Sequence, residues 1–385
     1  GIIKNNQPML LKSYGFADLA FDTQLPTDAS FEIGSVTKQF TGAAALQLVE
    51  QGKLNLDDDI TKYIKFDTRG RKVTVRNLLS HTSGIKGYTE LPMFGDLMIE
   101  KHKRDTLLRI VEKEPFNFEP GEALIYNNSG FFIMGLIIEK ASGLSYEDYV
   151  VKNLFEKAGM THSFYCSESK VTKNKAHGYS MGDKGLVQAP YLDHTWPYAA
   201  GSLCSTVEDL ARWNDALHNG RILSDPIYKE FVTPITLKDG TVTHYAKGIT
   251  VTEQNGRRKL EHGGGINGFL SENAYYPDDK LSIVVLINTT GPVSPNDITN
   301  QISDFVFGKE RQPGNSFTGD VSSFAGTFKG QGRGQVLSVK IEKSDSALTA
   351  QFGSDKPESL TFVDNNTWSD GYATYIFSGD AMDEL

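Results

Sequence analysis

Residues 31–52 read Phe31-Glu32-Ile33-Gly34-Ser35-Val36-Thr37-Lys38-Gln39-Phe40-Thr41-Gly42-Ala43-Ala44-Ala45-Leu46-Gln47-Leu48-Val49-Glu50-Gln51-Gly52, and the architecture follows from them. From Ser35 to Gln51 the apolar side chains fall on nearly every face of a 3.6-residue helix. A helix without a solvent side must lie inside a larger core. Gly52 is placed to end it as a left-handed cap. At its start, Ser35 and Lys38 are three residues apart and share one face. A buried ammonium is disfavoured, which suits such a lysine to accept a proton. The helix N-terminus adds positive potential where an alkoxide would develop. A serine with a neighbouring base in a positive field is an activated nucleophile. The plainer reading is also open, because serine caps many helices and a lysine three residues on is common. By itself the pair is weak.

Working outward, residues 2–14 read as a hairpin turning at Asn5-Asn6. Helices are predicted from Asn128 to about Ala141, from Ser145 with a capping-box-like Asp148, and over Thr206 to His218. Strands are predicted at Val242–Thr252, Lys259–Glu261, Phe269–Tyr276 and Leu281–Asn288, separated by the turn signals Asn255-Gly256 and Pro277-Asp278-Asp279. A helix over Asp297–Phe307 closes the region. This order predicts an α/β (α+β) domain over 1–308, an antiparallel sheet flanked by helices with an inserted helical region. Residues 309–320 read as a linker. The tail 321–385, with strands at Thr327–Lys329, Val336–Glu342, Leu348–Phe352 and Tyr372–Phe377, reads as a small all-β domain. It is small for a self-sufficient barrel, so it is expected to dock on the core.

Composition narrows the function. The 385 residues carry 39 Lys and Arg against 48 Asp and Glu, a formal net charge of −9, which argues against nucleic acid or an anionic membrane as partner. No apolar run approaches the ~18 residues of a membrane span. Two cysteines, Cys166 and Cys204, exclude a disulfide scaffold and a four-cysteine zinc site. No metal-ligand spacing is present and no cofactor is expected. His81 and His194 read as structural. Trp196 and Tyr198 are candidates for lining a cleft, with core packing favoured for at least one of them.

Two further segments carry possible chemistry. In Tyr126-Asn127-Asn128, a phenol beside a cation can shuttle a proton and an amide can orient a carbonyl, though Asn128 as a simple helix N-cap explains the segment equally. His262-Gly263-Gly264-Gly265-Ile266-Asn267-Gly268 formally matches a dinucleotide fingerprint, but a strand follows it rather than a helix, so nucleotide binding is rejected. Glycines beside a strand can instead let a substrate lie against backbone N–H groups that serve an oxyanion.

Taken in order, Ser35-x-x-Lys38, Tyr126-x-Asn128 and His262-x-Gly264 resemble the penicillin-recognising serine hydrolases. The resemblance is to the branch of class C β-lactamases, D-Ala-D-Ala carboxypeptidases, D-aminopeptidases and related esterases. The segments Leu79–Gly84 and Ala200–Thr206 are similar too, and the likeness spans roughly residues 1–308. It implies a β-lactamase/transpeptidase-like fold, Ser35 as the acylated nucleophile, and Lys38 and Tyr126 sharing the proton transfers. It further implies Asn128 on the substrate amide, and Ser35 and Gly265 backbone N–H groups as the oxyanion hole with Gly264 beside them. His262 stands where many members have Lys, beside the substrate carboxylate or the Tyr126 proton path, and a neutral imidazole attracts a carboxylate less than an ammonium does. The tail resembles lipocalin-like domains of some relatives.

The reading that results is a serine hydrolase acting on amide bonds of D-amino-acid-containing peptides or β-lactam-like small molecules. A carboxylesterase or lactonase is the nearest alternative, and a non-catalytic binding or assembly protein is one of another class. Loops around 85–105 and 160–200 would set specificity. The resemblance implies a periplasmic or secreted protein. Gly1–Lys4 reads as the middle of a strand without an initiator Met or the helix that precedes it in relatives, which predicts upstream sequence. Sequence leaves the oligomeric state open.

Overall fold

The alanine-rich run folds as the helix Thr37–Glu50, entered through a single 3-10 turn over Gly34–Val36. Every residue from 37 to 48 is buried. Its end is a Schellman turn, with the Lys53 N–H donating to Leu48 O at 2.9 Å and the Gly52 N–H to Val49 O at 2.9 Å. The computed structural model describes residues 1–167, 169–308, 317–332, 335–344, 347–364, 366–369 and 374–377. The chain divides into two units, 1–308 and 309–385.

The first unit is built on a six-stranded sheet in the spatial order Thr250–Gln254, Arg257–Ile266, Phe269–Tyr276, Leu281–Ile287, Ile2–Lys4, Gln7–Leu10. All its pairings are antiparallel. Alternation along Phe269–Tyr276 sends successive side chains to opposite faces. Ala274 and Tyr276 join a cluster with Ile302 and Phe307 of the helix Pro295–Phe307. On the other face, Tyr275 stacks on His218 of the helix Val207–His218, ring centroids 4.5 Å apart. Asn273 on that face donates to Gln39 Oε1 at 3.0 Å and to Asn214 Oδ1 at 2.9 Å. This buried amide network ties the sheet to two helices, and each member finds partners in the others.

The helix Asn128–Ser142 packs within the same core as Thr37–Glu50. Its N-cap is Asn127, whose side chain accepts the Gly130 N–H at 2.9 Å, so capping does not account for Asn128. Ser145 caps Tyr146–Val150 as expected and Thr206 caps Val207–His218. A three-stranded sheet, Phe31–Glu32, Leu203–Ser205 and Phe164–Tyr165, carries the chain into the first helix.

Two expectations for the sheet are corrected. Residues 242–249 make no strand beyond isolated bridges of Val242 to Thr236 and Tyr245 to Thr250; Gly248, at φ +90°, brings its backbone against the Lys38 carbonyl, and the ladder with Arg257–Ile266 starts at Thr250. The strand expected at Lys259–Glu261 runs instead through the glycines to Ile266.

The second unit is a six-stranded antiparallel meander: Gly326–Gly332, Gln335–Ser344, Ala347–Phe352, Glu358–Asp364, Thr367–Ser369 and Thr374–Ile376. Phe324, Ile341, Leu348, Trp368 and Phe377 are among its core. Glu358–Asp364 and Thr367–Ser369 were not expected from sequence. Most of the expected linker, and Tyr372 in the expected last strand, lie outside the described residues. Among the described residues no helix is long and apolar enough to cross a membrane.

Candidate active site

Ser35 lies in the middle of the 3-10 turn, where the chain leaves the strand Phe31–Glu32 and enters the buried helix. The turn is pinned from two sides. The Ile33 N–H donates to Leu203 O at 3.0 Å, and Ser271 Oγ donates to Ile33 O at 2.8 Å. The strand Arg257–Ile266 then passes at backbone distance. A Cβ on Gly264 would fall 2.1 Å from Ile33 O, and one on Gly34, whose φ is +48°, would fall 3.0 Å from the Gly265 backbone. Neither position has room for a side chain, so the strand and the turn meet through main chain alone.

Directly beneath Ser35 is Lys38, with no solvent exposure. Its Nζ donates to Ser35 Oγ at 2.9 Å, Asn128 Oδ1 at 2.9 Å and Ala200 O at 2.8 Å. An ammonium has three protons, and these acceptors can take all of them. The same nitrogen stands 4.8 Å from the centroid of the Tyr126 ring, close enough for a cation–π attraction. Ser35, Tyr126 and Asn128 are half-buried, so the cluster opens to solvent above the lysine.

Tyr126 is held by His81, which sits at φ +60° just beyond the helix Val75–Leu79. The His81 carbonyl accepts the Ile125 N–H at 3.1 Å, and its Nδ1 accepts the Asn127 N–H at 3.0 Å. The imidazole lies against the phenol ring with centroids 4.3 Å apart. Asn128 Nδ2 donates to Thr89 Oγ1 at 3.3 Å. His262 lies on the same face of the sheet as Gly264, its ring centroid 6.1 Å from that of Tyr126. Its imidazole is pushed down to about 3, by burial first and then by Lys38.

The structure therefore brings Ser35, Lys38, Tyr126, Asn128, His262, Gly264 and Gly265 into one cluster from three separate parts of the chain. The arrangement can offer a hydroxyl with a proton acceptor, a second proton-bearing group and an amide. Sequence reasoning missed Tyr245, which belongs to no local motif and whose hydroxyl lies 2.9 Å from His262 Nε2, and it gave no role to the Ala200 carbonyl although Ala200 opens one of the similar segments. Trp196 and Tyr198 are both core residues. Cys166 and Cys204 pair with each other, joining the neighbourhoods of two adjacent strands. Among the described residues no group of three His, Cys, Asp or Glu could hold a metal ion.

Known proteins resemble this chain along its length. The model of the Beta-lactamase family matches residues 1–304. The chain is 26% identical over 387 aligned residues to a D-aminopeptidase of Brucella anthropi, covering 99% of this chain and 72% of that protein. It resembles the crystal structure of a penicillin binding protein from Bacillus halodurans, with 28% identity and a TM-score of 0.69 over 79% of this chain and 94% of that one. It also resembles an octameric penicillin-binding protein homologue from Pyrococcus abyssi, with 26% identity and a TM-score of 0.72 over 95% of this chain and 92% of that one.

Proposed function

The chain belongs to the beta-lactamase family and is a serine hydrolase, and we propose that it forms its acyl-enzyme at Ser35 and cleaves amide bonds of D-amino-acid-containing substrates. The observation that carries this reading is the 2.9 Å contact between Lys38 Nζ and Ser35 Oγ, made by a lysine that also holds Asn128.

In this reading Ser35 Oγ attacks the substrate carbonyl carbon. Its proton passes to Lys38 in the amine form, or through Tyr126, and onward to the departing nitrogen. The C–N bond breaks as the serine ester is left behind. Water then attacks the ester, giving up its proton to the same group, and the ester C–O bond breaks to release a carboxylic acid and return the proton to Ser35. Asn128, with Oδ1 fixed by the lysine, directs Nδ2 toward the substrate amide. The close approach of Gly34 to Gly265 supports an oxyanion hole made by the Ser35 and Gly265 N–H groups, which would stabilise the tetrahedral oxygen in both steps. The Cys166–Cys204 bond suits an oxidising compartment.

The test is covalent labelling. A fluorophosphonate probe should add its mass to the denatured protein at Ser35, and Ser35→Ala should stay unmodified. Absence of label on the wild-type protein, or equal labelling of both, would overturn the assignment.

A further inference from the structure

His81 does more than fill the core beside Tyr126. It is 1% exposed and holds a left-handed backbone at φ +60°, a strained conformation for a side chain of this size. One residue thereby turns both its carbonyl and its ring onto the segment that carries Tyr126. The carbonyl accepts the Ile125 N–H at 3.1 Å and Nδ1 accepts the Asn127 N–H at 3.0 Å, so His81 binds the chain just before and just after Tyr126. The segment continues alongside, with Thr82 O accepting the Gly121 N–H at 2.8 Å and Gly84 O the Asn117 N–H at 2.7 Å.

A backbone N–H only donates, so Nδ1 is a lone pair and the proton of this neutral ring sits on Nε2. The Nδ1 contact is buried, and an Asn127 N–H deprived of it would have to turn toward another acceptor. Asn127 as a whole is not free to follow, because its side chain is tied to the Gly130 N–H and to Ile85 O. The peptide joining Tyr126 to Asn127 is the part left to turn, and the phenol turns with it. Phe131 and Tyr245 pack on the His81 ring, with centroids 5.1 and 4.5 Å away, and they fix the plane against which Tyr126 lies at 4.3 Å. Lys38 Nζ stands 4.8 Å from the centroid of that phenol.

We propose that His81 is a positioning residue for the proton transfers at Ser35, an assignment that rests on the serine-hydrolase reading with Tyr126 as a proton carrier. Its Nδ1 and its ring together seat the Tyr126 phenol against Lys38, and its effect on the chemistry passes through Tyr126. Whether Ser35 is labelled at all decides the serine-hydrolase reading, and the rates of labelling decide the role of His81.

The experiment measures fluorophosphonate labelling of the full chain against probe concentration, giving a maximal rate and a half-saturating concentration. His81→Phe keeps a ring and removes the acceptor. His81→Asn keeps an acceptor at the same place as Nδ1, and asparagine tolerates the left-handed backbone. His81→Phe should lower the maximal rate by about 10–10²-fold with the half-saturating concentration within about twofold of wild type, and His81→Asn should recover most of the rate. In a Tyr126→Phe background, itself slow, adding His81→Phe should change the rate by no more than about twofold. A role confined to stability would instead lower the urea midpoint of His81→Phe and leave its folded fraction labelling at the wild-type rate. That result would overturn the proposal, as would a loss carried by the half-saturating concentration or a His81→Asn protein as slow as His81→Phe. Losses that multiply in the double variant, or a Tyr126→Phe protein as fast as wild type, would overturn it too. Should His81→Phe fail to fold, His81→Gln replaces it under the same outcomes, because its amide reaches the ε position and leaves the Asn127 N–H without its acceptor.

Discussion

Lys38 Nζ lies 2.9 Å from Ser35 Oγ, and among Ser35 Oγ, Asn128 Oδ1 and Ala200 O the serine hydroxyl is the one that can also hand a proton back. Ala200 offers a carbonyl and Asn128 its amide oxygen, both acceptors only. An amine formed at Lys38 would therefore turn its lone pair toward Ser35. Lys38→Arg keeps positive charge but cannot be deprotonated. We expect Lys38→Arg and Lys38→Ala to lose acylation rate alike, by about 10²–10⁴-fold. Stopped-flow acylation with an activated ester would show it, and an arginine variant near the wild-type rate would rule out lysine as the base.

Neighbouring glycines on one strand should respond differently to alanine. A methyl at Gly264 meets Ile33 O at 2.1 Å and Ser271 Oγ at 2.3 Å, whereas at Gly265 the nearest atom is a Leu270 side-chain carbon at 3.6 Å. Gly264→Ala should cost about 1–3 kcal/mol and shift the Ser35 turn, with loss of labelling. Gly265→Ala should stay within about 0.5 kcal/mol of wild type. Urea midpoints for the two variants give the comparison.

The Cys166–Cys204 bond closes a loop with a sequence separation of 38 residues. Loop-closure arguments put its contribution at about 2–4 kcal/mol. The double variant Cys166→Ser, Cys204→Ser should unfold at lower urea while still acylating Ser35, because neither sulfur belongs to the catalytic cluster. An unchanged midpoint would show that the bond does not constrain the unfolded chain.

Stability should fall toward both ends of the pH scale, for separate reasons. Buried Glu272 is pushed up to about 8, by burial first and then by Glu261, with Lys259 opposing. Unfolded, it would titrate near 4.5, so between those values the folded chain holds a proton that the unfolded chain has released. Stability therefore drops as pH rises through that window. His218 runs the other way. Burial lowers it to about 3 from 6.5, so stability drops as pH falls through the interval between them, where only the unfolded chain binds the proton. Glu272→Gln should raise the urea midpoint at pH 8 and leave it nearly unchanged at pH 4.5; equal shifts at both would exclude Glu272 as the source.

The elements with strong local patterning were legible in the sequence. The helix after Ser35 announced itself through apolar residues on every face, and the helix Asn128–Ser142 did likewise. Where pattern and tertiary contact conflict, the reading slipped. His262 to Gly265 carries a loop-like composition, yet it pairs as strand because its missing side chains allow the Gly34 turn to approach. Residues 242–249 alternate like a strand, but Gly248 is bent against Lys38 O. Order along the chain brought out all seven members of the cluster. It could not indicate Tyr245, which joins the site through distant packing, and it marked the Ala200 segment without giving the carbonyl a role. Two cysteines with unconstrained spacing are equally silent about whether they pair.

The sealed helix after Ser35 has a practical consequence for anyone wishing to redirect this protein. From 37 to 48 each side chain already touches neighbours on all sides, so randomising that segment would yield mostly unfolded clones. Variation placed on the open stretches within the loops, such as 183–188, would leave the reacting groups seated while altering the surface around them. Substrate range and chemistry are thus separable traits here, and libraries confined to the rim should be rich in folded, acylating members.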